Sequence, residues 1–269
     1  MISTAFGEET HNISLDRDTG DSGAEQIIPN QRADVDPVAA AMARRAAKKR
    51  ACEDAIRARQ EEETARLKAS REGMVAILVG EMVTIPGRNY LMGRTEVTQA
   101  QWEAVMGTNP SQFTDPNRPV ESVSWIAVQE FIEVINATEA ARNARIRFRL
   151  PTAAEWEYAC RAGSSGQFGL LADGREGTIH EMGWYMVNTE NGSMTKPVAQ
   201  KKPNAWGLYD MHGNVEEWTQ TGSYDSYIVA GGCYGSFDYN CAFPKCLHGR
   251  TERNRSFQWV GFRLCADAS

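Results

Sequence analysis

The stretch RFRLPTAAEWEYACRAG, residues 147–163, decides how the rest of the chain is read. Arg145–Leu150 reads as a short strand, and Pro151-Thr152 opens a helix. Thr152 is placed as its N-cap, and Glu155 three residues on completes a capping box. Arg149 and Glu155 are potential partners, and Trp156 and Tyr158 fall on opposite sides of the helix. The stretch reads as packing and capping, and no chemistry is assigned to it.

Further strands are expected at Met82–Ile85, Tyr227–Ala230 and Gly261–Cys265. Helices are expected at Gln99–Met106, after Thr98, and at Ser124–Glu139, where Trp125, Val128, Phe131, Ile132 and Ile135 recur at helical spacing. Residues 162–204 are rich in Gly, Asn and Ser with few periodic runs, so a long irregular loop is expected. A loop of that length in a compact domain is functional or held by something specific.

Upstream the texture changes. Residues 37–72 begin with Asp36 as a helix cap and Pro37 in the first turn, and run without Gly or Pro until Gly73. They are dominated by Ala, Arg, Glu and Lys, so a helix is expected. Its large apolar residues are only Val38, Met42, Ile56 and Leu67, too few for a sustained heptad seam. A solvated single helix is the simpler reading, and self-association through 37–72 the sharper one. Residues 1–36 carry eight acidic against two basic side chains, with little apolar bulk, and read as a disordered acidic tail. From Met74 the chain looks globular, and all seven tryptophans lie in this part.

The whole chain of 269 residues is 42% hydrophobic and 24% charged, ordinary for a folded soluble protein. A net charge of −6 argues against a dedicated nucleic-acid binder. No apolar run is long enough for a membrane-spanning helix. The opening MISTAFGEETHN has neither a basic nor an apolar leader region, so a cytoplasmic location is expected. Six cysteines are too sparse for a disulfide scaffold. The four histidines show no ligand spacing, and His212 reads as a loop residue.

A second motif, GLYDMHGNVEEW (207–218), sets Asp210 and Glu217 seven residues apart around Gly213, which permits a tight turn. Carboxylates with turn carbonyls are the oxygen set a hard cation such as Ca²⁺ prefers. Without an ion, the same two carboxylates cap turns or meet arginines.

Seven strings together carry a resemblance: MVTIPG (82–87), GRTEVTQAQWEAVMGTNPS (93–111), RPVESVSW (118–125), RFRLPTAAEWEYACRAG (147–163), KPNAWGLYDMHGNVEEWT (202–219), GGCY (231–234) and VGFRLC (260–265). Over residues 74–269 the chain resembles the sulfatase-modifying-factor family, whose founding member is the formylglycine-generating enzyme. The resemblance implies an α+β, C-type-lectin-like fold with short antiparallel strands, a few helices and much ordered loop. It also implies Ca²⁺ at the side chains of Asp210 and Glu217 and the carbonyls of Gly213 and Val215. Glu216 stands where relatives often have Trp. Arg263, Trp218 and Glu96 are expected in the supporting core.

In the formylglycine-generating enzyme two cysteines five residues apart, after a GGS motif, hold Cu(I), which activates O₂ against a substrate cysteine. Cu(I) is soft and suits a thiolate pair. Here the second position is Cys241, but the first is Ser236, and the GGS serine is Cys233. A hydroxyl is a hard, poor Cu(I) donor. Cys233 and Cys241 are therefore the only candidate catalytic thiols of an oxidase. Secreted relatives bridge the cysteines that correspond to Cys160 and Cys265. Leu264 displaces the second by one residue, and both are expected to be free.

Two functions follow from the resemblance. The first is a module that binds a protein or small-molecule ligand through residues 233–259, the segment some relatives diversify. Its lining is expected to be Tyr234, Ser236, Phe237, Asp238, Tyr239, His248, Arg250 and Trp259, residue types that give adaptable contact area. The second is a formylglycine-generating oxidase using Cu(I) and O₂ on a sulfatase-type cysteine peptide. A third, an iron-dependent sulfoxide synthase, needs a histidine cluster that this chain lacks.

Overall fold

A computed structural model describes residues 36–190, 192–243, 245–247 and 249–268. The acidic stretch 1–35 and His248 lie outside the described residues. The chain divides into two units, one ending at Asp54 and one beginning at Ala55.

Helix α1 spans Pro37–Gly80. It does not stop at Gly73 as the local sequence suggests. Val75 and Leu78 are fully buried beyond that glycine, with Met74 and Val79 packed beside them. Burial of one apolar face outweighs the cost of a helical glycine, roughly 1 kcal/mol. In the first unit Val38 and Met42 are exposed.

Helix α2, Gln99–Met106, matches its expected bounds. Thr98 and Gln101 form a capping box, and Gly107 ends the helix in the left-handed region at φ 79°. The expected Ser124–Glu139 helix is two helices, α3 (Trp125–Asn136) and α4 (Glu139–Ala144). Thr138 caps the second, and the Glu72 carboxylate accepts the N–H groups of Glu139 and Ala140. Helix α5, Ala153–Arg161, carries the foreseen capping box between Thr152 and Glu155. Two one-turn helices follow, α6 (Ile179–Met182) and α7 (Asp238–Cys241).

The strands are β1 (Met82–Thr84), β2 (Tyr90–Gly93), β3 (Ile146–Arg149), β4 (Gly183–Trp184), β5 (His212–Gly213), β6 (Glu216–Ser223), β7 (Ser226–Ala230), β8 (Gly249–Glu252), β9 (Val260–Phe262) and β10 (Cys265–Ala268). One sheet has the order β1-β2-β10-β3, all antiparallel. The C-terminal strand is thus inserted between two strands laid down far earlier. A second sheet runs β8-β7-β6-β9, with β6 and β9 parallel. The expected strand Gly261–Cys265 is split at Arg263 and Leu264, so that β9 joins one sheet and β10 the other.

The core has two main parts. Trp102, Phe131 and Phe262 interlock in the first, with centroids 5.2 to 6.0 Å apart. Trp156, Met92, Leu208 and Met211 fill the second, with the thiols of Cys160, Cys246 and Cys265. All six cysteines are unpaired.

The 162–204 loop is held by specific side chains. Asn204 donates to the carbonyls of Ala159 and Cys160 and accepts from the N–H groups of Trp206 and Leu208. The loop also carries α6 and β4, which the sequence did not signal.

Candidate functional site

The GLYDMHGN turn holds the loop to the rest of the domain. Gly213 has φ +96°, and a Cβ there would meet the Trp184 carbonyl oxygen at 2.0 Å, so only glycine fits. The side chains of Asp210 and Asn214 accept the N–H groups of Ala199 and Lys196. His212, read from the sequence as a loop residue, lies on β5 and is fully buried. Its Nδ1–H donates to the Cys241 carbonyl at 2.7 Å, while Nε2 accepts from Gly169 N–H. Burial pushes its pKa down to about 4, so it serves as a neutral bridge between the loop and α7.

Three buried carboxylates surround one buried guanidinium. Arg263 donates to both oxygens of Glu217 and to the carbonyls of Gly93 and Tyr209. Glu217 also accepts from Trp156 Nε1 at 2.7 Å. Glu96 accepts from Asn214 Nδ2 and Val215 N–H, and burial, with Asp210 and Glu217 nearby, holds its pKa well above the ordinary range. Burial lifts Asp210 to about 6.

These residues test the calcium set. Asp210 Oδ1 is buried and has no donor, which suits a cation. Glu217 is different, since Arg263 and Trp156 already occupy both of its oxygens. Among the described residues no three His, Cys, Asp or Glu side chains form a metal-holding group. Of the two carboxylates in the set, Asp210 therefore keeps an oxygen open to an ion, while Glu217 contributes charge and no free oxygen.

The GGC turn builds the other half of the site. Gly231 and Gly232 have φ +103° and +72°, and a Cβ on Gly232 would lie 2.7 Å from Cys241 Sγ. The Ser236 hydroxyl accepts Cys233 N–H at 3.0 Å and lies 3.4 Å from Cys233 Sγ. Ser236 therefore closes a turn. Cys241 is fully buried on α7, and burial, reinforced by the neighbouring Cys233 thiol, pushes its pKa far up. Burial and Glu216 raise Cys233 as well. Ser236 thus puts a hydroxyl, committed to a backbone N–H, at the position of one family thiolate, so of that two-thiolate pair only the buried Cys241 is present here.

The expected ligand surface is divided by the fold. Tyr234 is buried, its ring edge-on to Phe113 at 5.7 Å and its hydroxyl bonded to Gln258, so it supports the core and does not line a surface. Ser236 is half-buried in the turn. Phe237 and Tyr239 are 49% and 51% exposed and stack on each other at 5.6 Å. Asp238 and Tyr239 line a groove of about 470 Å³ with Gln167, Phe168, Ile179 and Phe243. Arg250, exposed on β8, and Trp259, stacked on Phe257 at 4.9 Å, do not line it. Gln167, Phe168 and Ile179 come from the irregular loop, where no periodic signal marks them.

A helix-and-sheet domain built on this motif and this turn defines a class. The description "Sulfatase-modifying factor enzyme 1-like domain" matches residues 58–268, and the chain belongs to this family. The match takes in the second half of α1. Among curated relatives, the chain is 33% identical over 173 residues to the "Chaperone protein LppX" of Paenibacillus barcinonensis, covering 48% of this chain and 61% of that one. It is 38% identical over 130 residues to the "Formylglycine-generating enzyme" of Streptomyces coelicolor, covering 45% and 38% respectively. The chain thus spans less than two thirds of the length of either relative. The solved structure of "Treponema denticola variable protein 1" superimposes with a TM-score of 0.56 at 26% identity, covering 70% of this chain and 91% of that one.

Proposed function

We infer that this chain is a binding module of its family and not a copper oxidase. The observation that carries the reading is the exposed Phe237–Tyr239 stack beside the 470 Å³ groove, with Tyr239 shared between them and Asp238 lining the groove. Aromatic anchors on a held turn give large contact area at small entropic cost. The groove joins aromatic and aliphatic walls to one carboxylate, which suits a peptide or small ligand with an apolar body and a donor or cation. A relative that carries the name of a chaperone protein supports the same direction. Six unpaired cysteines suit a reducing compartment such as the cytoplasm.

The second reading is a formylglycine-generating oxidase that acts on a sulfatase cysteine with Cu(I) and O₂. It draws on the mutual influence of the Cys233 and Cys241 thiols and on the identity to named formylglycine-generating enzymes. Ser236 and the sealed Cys241 weigh against it. A Ca²⁺ ion at Asp210 is a separate proposal, supported by the donorless Oδ1.

Selection of a random displayed peptide library on the full chain tests the binding reading. The expected result is an enriched consensus that disappears when Phe237→Ser and Tyr239→Ser are combined, with melting unchanged. Enrichment indifferent to both substitutions, or none at all, overturns it.

A further inference from the structure

A second groove, of about 540 Å³, lies away from the Cys241 turn and is lined by Trp125, Gln129, Arg147, Arg149, Gln220 and Tyr227, with Gly222 and Asp267. Its size is within the range of small-ligand sites. Its construction is specific. The β6–β7 pairing shifts register between Trp218 and Gly222. A Cβ on Gly222 would lie 2.5 Å from the Tyr227 ring, so the glycine lets that ring lie against the strand. Trp125 stacks on the ring at 4.1 Å and 15°, and its indole N–H donates to the Thr219 carbonyl. The result is a fixed aromatic wall.

Opposite that wall the ion pairs are unevenly shared. Arg147 and Arg149 alternate on one face of β3, and Asp267 is the cross-strand partner of Arg147. Asp267 nevertheless turns to Arg149, which already holds Glu155 through two bonds of 2.8 Å. Among the described residues no carboxylate reaches the exposed Arg147 guanidinium, and the side-chain amides of Gln129 and Gln220 make no hydrogen bond. The groove therefore presents a spare guanidinium and two spare amides beside a stacked Trp–Tyr pair, in a chain whose net charge is −6. The β3 edge itself is closed, because Asn136 binds both the N–H and the carbonyl of Phe148, so strand addition is not how a ligand enters.

We propose that this groove binds an acidic peptide segment that carries an apolar or aromatic residue, with Arg147 taking a carboxylate and the Trp125–Tyr227 wall taking the ring. A guanidinium with a free fork recognises a carboxylate through paired hydrogen bonds, and the amides donate to the peptide carbonyls. The site is independent of the Phe237–Tyr239 groove.

Calorimetric titration of the full chain with N-acetyl-Glu-Phe-Glu-amide tests it, with the Lys-Phe-Lys and Gln-Phe-Gln analogues as comparisons. The acidic peptide is expected to bind more tightly than the neutral one and the basic one not at all, with affinity falling as salt is raised. Arg147→Gln, an exposed change that leaves melting unaltered, is expected to weaken the acidic peptide roughly tenfold. Phe237→Ser is expected to leave it unchanged. Equal binding of the three peptides, no binding of the acidic one at millimolar concentration, or full affinity in Arg147→Gln overturns the proposal.

Discussion

Arg263 and Glu217 form an ion pair wholly sealed from solvent, with Nη2 2.8 Å from Oε1. It joins the two larger sheets, since Glu217 lies on β6 and the same guanidinium donates to Gly93 at the end of β2. Removing the cation leaves Glu217 buried without its ion-pair partner, beside Glu96 and Asp210. Arg263→Met is expected to destabilise the domain by about 3–5 kcal/mol, because an uncompensated buried charge costs far more than an intact pair contributes. Urea unfolding measures this, and a loss below about 1 kcal/mol contradicts the assignment.

Thiol reactivity follows burial. Cys52 is exposed, Cys233 half-buried, and Cys160, Cys241, Cys246 and Cys265 buried. In native protein iodoacetamide is expected to label Cys52 quickly and Cys233 slowly, faster as pH rises, because burial raises the Cys233 pKa. The other four react only after unfolding. Mass spectrometry of the labelled peptides checks the order, and rapid native labelling of Cys241 contradicts the sealed turn.

Glu155 gives a pH dependence with a defined sign. Burial opposes its charge, but the Arg149 guanidinium and the Thr152 N–H and hydroxyl hold its carboxyl below the ordinary 4.5. A depressed carboxyl stabilises the fold above its unfolded pKa, and that contribution is lost as pH falls through the folded value. The stability gap between wild type and Glu155→Gln is expected to be full at pH 7 and to shrink steadily below about pH 4.5. A gap that stays constant down to pH 3 contradicts it.

If Asp210 Oδ1 holds Ca²⁺, added Ca²⁺ raises the melting temperature of the full chain and chelation lowers it, since a ligand bound only by the native state stabilises it. Asp210→Asn removes the response. An unchanged melting curve in wild type counts against the ion.

Much of this architecture was legible in the sequence. The capping box at Thr152 marked the start of α5, because capping is a local event, and the helix expected after Thr98 is α2. The motif strings carried the fold. What local reading missed was set at a distance. The helix continues past Gly73 because Val75 and Leu78 meet the core. The strand at Gly261–Cys265 splits because Arg263 turns inward to Glu217, a partner 46 residues away. Tyr234 looked like part of an adaptable surface, and Phe113 makes it part of the interior. Phe168 and Ile179 reach the groove from a loop whose order comes from Asn204 and His212, a kind of support that leaves no periodic trace.

Mass spectrometry of a sulfatase-type CxPxR peptide, incubated aerobically with the Cu(I)-treated full chain, asks most directly whether oxidation has given way to binding. The account predicts that the peptide cysteine is recovered unchanged. Copper-dependent appearance of the aldehyde, abolished by Cys241→Ala, would contradict it.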